Sequence, residues 1–277
     1  MTTTASAHVH SSLGRLSFPR VIGSEWIKLR SLRSTFWTLA SVIVIVIGFS
    51  ALLSVTIPSA ETLRQQAPGT RIDGFVSAAA TTGLTFAQLV VAVLGVLVIS
   101  GEFSTGMIRS SFAAVPRRFP ALAAKAITLF LVSFAVGLVS FASSWAIAAA
   151  LMSAKGYQAD LFAGSTLWSI LGAAAYLGLV AVFSMGLGTI LKASGGGIAA
   201  AVGALFVLPI IASIVVGLIS DAKWLADAQH YLISNAGSGM AGLANGSLEP
   251  WAAAVTVLVW TAVSFVGGAL LLQRRDA

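Results

Sequence analysis

The residues that could do chemistry gather in two short stretches. One is Gly101-Glu-Phe-Ser-Thr-Gly-Met-Ile-Arg109, with the basic turn Pro116-Arg-Arg118 behind it. The other is the segment 18–35, which carries Arg20, Glu25, Lys28 and Arg30. Charge pairing and docking are what these side chains can do; bond-making is not. The nine acidic residues are scattered, with no paired carboxylates and no histidine spacing that would ligate a metal. Cysteine is absent, so disulfides and thiolate sites are excluded. Gly195-Gly-Gly197 lacks the Lys-Ser/Thr that reaches nucleotide phosphates, and reads as a tight turn. We therefore expect no catalytic residue, no metal site and no cofactor in this chain, and no ATP hydrolysis by it.

The elements that position these stretches are dictated by composition. Hydrophobic residues make up 57% of the chain and charged residues 9%, against about 25% charged in a soluble domain. So few charges cannot cover a water-facing surface. Six apolar segments, 36–57, 78–100, 124–152, 166–190, 198–219 and 251–272, are each long enough to cross a hydrocarbon core of ~30 Å. The expected fold is an all-α integral membrane protein: six transmembrane helices in one domain spanning 1–277. To these the reading adds a disordered tail (1–17), an amphipathic interfacial helix (18–35), a loop after span two (101–120) and an outer segment (220–250) of short re-entrant helices before the last span.

In the interfacial helix, Phe18, Ile22, Trp26, Leu29, Leu32 and Phe36 recur at spacings of three and four, a stripe suited to the headgroup region with Trp26 as anchor. Glu25 falls beside that stripe. It either pairs with Lys28 one turn on or faces protein, against a basic group in the 101–118 loop.

Orientation follows from charge. With six spans, twelve Lys/Arg fall on the side of the termini and four on the other. The positive-inside rule then puts both termini in the cytoplasm of a multi-pass protein, and the formal charge of +7 is assigned to membrane flanks and lipids, not to nucleic acid. Apart from Lys125 at a boundary, the six segments hold no Asp, Glu, Lys, Arg or His. Proton-driven carriers need such groups at depth, which leaves an external energy source or a sodium site built from carbonyls and hydroxyls.

In the loop after span two, Gly101 offers an end or bend to the span, and Ser104-Thr-Gly106 helix-start and turn chemistry. Met107, Ile108 and Phe112 give a sticky face beside Arg109, Arg117 and Arg118. Taken alone, these residues fit a turn on the lipid surface; the competing reading is a coupling helix that inserts into a groove of an ATPase.

Three motifs together, Ser24-Glu-Trp-Ile-Lys-Leu-Arg-Ser-Leu-Arg33, Gly101-Glu-Phe-Ser-Thr-Gly-Met-Ile-Arg109 and Pro116-Arg-Arg118, resemble the permease subunit of type-2 ABC exporters of the actinobacterial kind. The resemblance covers the whole six-span layout. It implies a pair of permeases, identical or sister chains, in a bacterial plasma membrane, each with a cytoplasmic ATP-binding subunit that carries the ATP and Mg. It also implies that Glu102, Phe103, Thr105, Met107, Ile108, Arg109, Arg117 and Arg118 couple to that subunit. Glu25, Trp26, Lys28 and Arg30 would belong to the interfacial helix, with Glu102 in a polar link to it. A cargo pathway would run along spans two and five, past Thr82, Thr85, Phe86, Gln88, Phe206, Pro209 and Ser213. Gly137, Gly178, Gly186 and Gly188 would permit close helix approach. An uncharged wall suits export of a hydrophobic or amphipathic compound such as a drug, peptide antibiotic or lipid. The rival readings are a membrane anchor or sensor that transports nothing, and a sodium-coupled carrier.

Overall fold

The computed structural model of the chain describes residues 17–66, 74–107, 118–219, 223–243 and 248–274. Among them there is no strand, and six helices are long and apolar enough to cross a membrane: Arg33–Thr56, Phe75–Ser104, Phe119–Ser153, Gly164–Leu191, Ser194–Leu218 and Pro250–Gln273. The chain is an all-α, multi-pass membrane protein. The sequence-based spans agree with these helices to within a few residues, because a run of Ala, Val, Leu and Ile in hydrocarbon must satisfy its backbone polar groups internally, and a helix does so within one segment.

Helix α1 (Phe18–Ser31) opens with Pro19 in its first turn, where a missing N–H costs nothing. It does not run on to residue 35 as expected. Leu32 adopts an extended conformation (φ −85°, ψ 116°), and α2 (Arg33–Thr56) starts at once. A single-residue elbow thus lets α1 take a direction of its own while α2 forms span one. Short α3 (Ala60–Gln66) follows on the far side.

Span two is α4 (Phe75–Thr81) followed by α5 (Leu84–Ser104), interrupted at Thr82-Gly83. The interruption has a packing cause: a Cβ on Gly83 would stand 2.6 Å from the Cα of Val46, so α2 is in backbone contact there. Span three lies in α6 (Arg118–Ser153), whose 36 residues make about 54 Å of helix, longer than the hydrocarbon core. Span four is α7 (Gly164–Leu191). It ends where Lys192 turns left-handed (φ 54°).

The next helix, α8 (Ser194–Val202), contains the three glycines read as a turn. The turn is Lys192-Ala193 instead, and Gly197 is needed for packing: a Cβ there would fall 2.7 Å from Val96 Cγ1. A π turn (Gly203–Val207) leads into α9 (Leu208–Leu218), completing span five. Two short helices, α10 (Lys223–Gln229) and α11 (Ile233–Met240), precede α12 (Pro250–Arg274), the last span.

The core forms around α7, the most buried span, which packs on α5, α6 and α12. The glycines picked from the sequence serve this bundle: added Cβ atoms would meet Ala174 from Gly137, Phe130 from Gly178, Ser264 from Gly186 and Ile99 from Gly188. Helix α11 lodges against α12 and α7, with Ile233, Ala236, Gly237 and Met240 buried. Span five differs. Its outer half, α9, packs on α10 and has no buried residue.

Candidate functional site

The helices bring four charges from three places in the sequence into one closed ring. Glu25 projects from α1 and accepts a hydrogen bond from Lys28 Nζ at 2.7 Å through Oε1, and one from Lys125 Nζ at 2.5 Å through Oε2. Glu102, at the end of α5, accepts from both lysines through Oε1, at 2.8 Å from Lys125 and 3.2 Å from Lys28. Each carboxylate therefore touches both ammonium groups, and the ring is neutral overall. Glu25, Glu102 and Lys125 are each only 6% exposed; the Lys28 side chain keeps 34% of its surface.

Local sequence explains each placement. Glu25 and Lys28 are three residues apart and share a helix face. Lys125 lies in the second turn of α6, and Glu102 in the last turn of α5. α6 is the helix on which α1 packs. Leu29 beside the ring is 5% exposed, so the charged face of α1 is also part of its buried face.

Electrostatics follow from the geometry. Burial opposes charge on Glu25, but Lys125 and Lys28 outweigh it and hold the carboxyl below its ordinary 4.5. Burial likewise works against the Lys28 ammonium, yet the hydrogen bond to Glu25 and the charge of Glu102 raise it above 10.5. At neutral pH both groups are ionised. Such a ring does not add stability in proportion to its contacts, because desolvation offsets most of the attraction. What it fixes is register: α1 can seat with all four charges matched in only one position.

Both sequence readings of Glu25 hold together. It pairs with Lys28 and faces protein, and its partner on another element among the described residues is Lys125 of span three; the basic residues of the 101–118 loop lie outside the described side chains. Lys125 had seemed only a boundary residue. A lysine inside an apolar run is costly unless partnered, and that cost was the signal that carboxylates had to be near.

The other site residues are placed as follows. Helix α5 continues through Gly101 to Ser104. It ends at Thr105 and Gly106 (φ 71°), with the Ser104 and Thr105 hydroxyls both donating to the Gly101 carbonyl. The turn chemistry of Ser104-Thr-Gly106 thus closes α5, and Met107 directly after it is helical again. Phe103 is half-buried, with Lys192 Nζ 5.5 Å from its ring centroid, which ties the end of span four to the ring's neighbourhood. Met107 is 45% exposed, and Trp26 50%. Arg30 borders a small groove between α1, α2 and Val132. Ile108, Arg109 and Arg117 lie outside the described residues, as does the side chain of Arg118.

The expected cargo pathway is divided. Thr85 and Phe86 are exposed, with Phe86 stacked on Phe49 of α2 at 4.4 Å, and Thr82 donates to the Ala78 carbonyl. Gln88 points into the bundle, 4% exposed, and accepts a hydrogen bond from Tyr176 of span four. An amide in hydrocarbon takes the partner that buries it; Gln88 stands only about 60° around the helix from Thr85, but on the side that meets span four. In span five, Phe206 and Pro209 are half-buried and Ser213 is exposed. Pro209 and Ser213 line a polar hollow of about 280 Å³ with Gln229, His230 and Asn235, which none of the span-two residues joins.

No group of three or more His, Asp or Glu able to hold a metal occurs among the described residues. Neither a protein-family model nor a curated protein matches the chain.

Proposed function

We propose that the chain is the membrane-spanning subunit of an ATP-driven type-2 ABC exporter for a hydrophobic or amphipathic compound, with its energy supplied by a separate ATP-binding subunit. The observation that carries this reading is the charged ring. It joins the helix before span one, the end of span two and the start of span three into one unit; the family resemblance assigns contact with the ATPase to the first of these and to the loop that follows span two. A push on Met107 or on the loop behind it then moves spans two and three together with α1, because separating them exposes or unpairs buried charges. Both termini and the ring lie on the cytoplasmic side in this reading, since twelve of sixteen Lys/Arg fall there.

The distribution of the pathway residues supports pairing of two permeases. Thr85 and Phe86 on one face, and the unburied α9 on another, would be brought opposite each other by a second copy or a sister chain. In this arrangement Gln88 belongs to the packing of the bundle, not to the pathway.

The test is co-purification with a co-encoded ATP-binding subunit, followed by ATPase and efflux assays in vesicles. Met107→Asp and Glu102→Ala should uncouple efflux from ATP hydrolysis at wild-type abundance. Normal coupling in both variants would remove the reading. Flux that follows a sodium gradient with no ATPase present would favour the carrier, and stable partner binding without any flux would favour the anchor.

A further inference from the structure

At the end of the bundle remote from the charged ring lies a cavity of about 610 Å³ that the proposed transport cycle does not use. It is built from the first turns of three spans and the end of α11: Ser77 of α4, Ser169, Gly172 and Ala175 of α7, Ala254 of α12 and Met240 of α11. Its size falls within the ~300–1,000 Å³ of ordinary small-molecule sites. Ala175 lies eleven residues into α7, so the cavity reaches about 16 Å down the helix axis, about half the ~30 Å hydrocarbon core.

We propose that this cavity binds one uncharged amphiphile, its apolar body among Leu171, Ala175 and Ala254 and its polar end at the lip beside Trp168 and Trp251. Three observations select that chemistry. None of the lining residues is ionisable, so a charged ligand would be desolvated with nothing to compensate it. Two of the three lining hydroxyls are already committed: Ser77 bonds Thr166 at 3.0 Å, and Ser169 donates to the Ser165 carbonyl at 2.9 Å, while the third, Ser165, is exposed in the first turn of α7. A ligand polar along its whole length would therefore meet few partners inside. At the lip, Trp168 and Trp251 are 70% and 72% exposed in the first turns of their spans, the level at which indole rings mark the membrane–water interface. An occupant with one wet end and one dry body matches that gradient.

The cavity's walls are firm. A Cβ on Gly172 would stand 1.9 Å from the Met240 carbonyl oxygen, so α11 and α7 meet backbone to backbone and the pocket floor cannot collapse by side-chain rotation. The lateral groove between α6, α7 and α12, lined by Phe130, Leu258 and Phe265, is open to surrounding lipid and serves as the control surface.

Binding here needs neither ATP nor a partner chain, so it succeeds or fails apart from the exporter reading. The full-length protein is reconstituted in phosphatidylcholine vesicles and titrated with a brominated long-chain alcohol while tryptophan fluorescence is followed. The expected result is a saturable quenching component. It should be lost when Trp168 and Trp251 are both replaced by Phe, and its affinity should fall at least about tenfold in Ala175→Phe and in Ala254→Phe. The control Ala262→Phe, in the lateral groove, should leave it unchanged. Far-ultraviolet melting of each variant shows whether the fold is kept, and two independent filling variants guard against the loss of one. Quenching that only rises linearly with bromide in all variants would overturn the proposal. So would tighter binding of a brominated carboxylate of equal length.

Discussion

Replacing Lys125 by Met leaves Glu25 and Glu102 facing each other across a site where each is 6% exposed, with Lys28 as the cation still shown between them. The isostere keeps the volume and the helix propensity, so the change is electrostatic. Breaking a buried pair by removing one partner costs about 3–5 kcal/mol. Lys28, within 2.7 and 3.2 Å of the two carboxylates, offsets part of this, and we take about 3 kcal/mol as the expected cost. That cost is confined to the state in which α1 is seated, because in the unseated state the carboxylates are solvated. The unseating equilibrium of α1 should therefore rise by about a hundredfold, at about 1.4 kcal/mol per decade. Amide hydrogen exchange over residues 18–31, measured in lipid nanodiscs, reads this equilibrium directly. The triple variant Glu25→Gln, Glu102→Gln, Lys125→Met should recover most of the protection, since the carboxylates are then no longer charged. If Lys125→Met changes exchange in α1 by less than about threefold, or if the triple variant is worse than the single one, the ring is not what seats the helix.

The same ring sets a pH window. Glu25, held below 4.5, contributes stability that is complete above that value and lost as pH falls through its lowered pKa; Lys28, raised above 10.5, contributes stability complete below that value and lost as pH rises through its raised one. Protection of α1, corrected for intrinsic exchange rates, should be flat between about pH 5 and 10 and fall at both ends. Tyr176→Phe removes the hydroxyl that Gln88 accepts, and should lower stability in a denaturing-detergent titration by about 1–2 kcal/mol. Adding Gln88→Leu should restore it, and failure to do so would mean that Gln88 has another role. Lys155 donates to the carbonyls of Ser54, Val55 and Ile57 at 2.6 to 2.9 Å, closing the last turn of span one. Lys155→Met should speed proteolysis between residues 57 and 66 without changing exchange in α1.

The spans were legible because a membrane gives a chain little choice. An apolar run of about 20 residues must be helical, and its length is set by the bilayer. Composition alone thus located all six, and periodicity alone located α1. Partnership was another matter. Glu25, Glu102 and Lys125 are far apart in the chain, and nothing local says that the start of α6 lies beside α1. The sequence could state that Lys125 needed an anion; packing of α1 on α6 chose which. The surroundings of Gln88 were hidden for the same reason. Its polarity was visible, but which helix face meets span four depends on how α5 crosses α7. Gly195-Gly-Gly197 had the composition of a turn but lies in a helix, where a Cβ on Gly197 would crowd the Val96 side chain at 2.7 Å. Local chemistry fixes what each segment is, since backbone hydrogen bonding and transfer from water act residue by residue. Tertiary structure decides which buried charges and cavities result, since those depend on the crossing of helices that no single segment encodes.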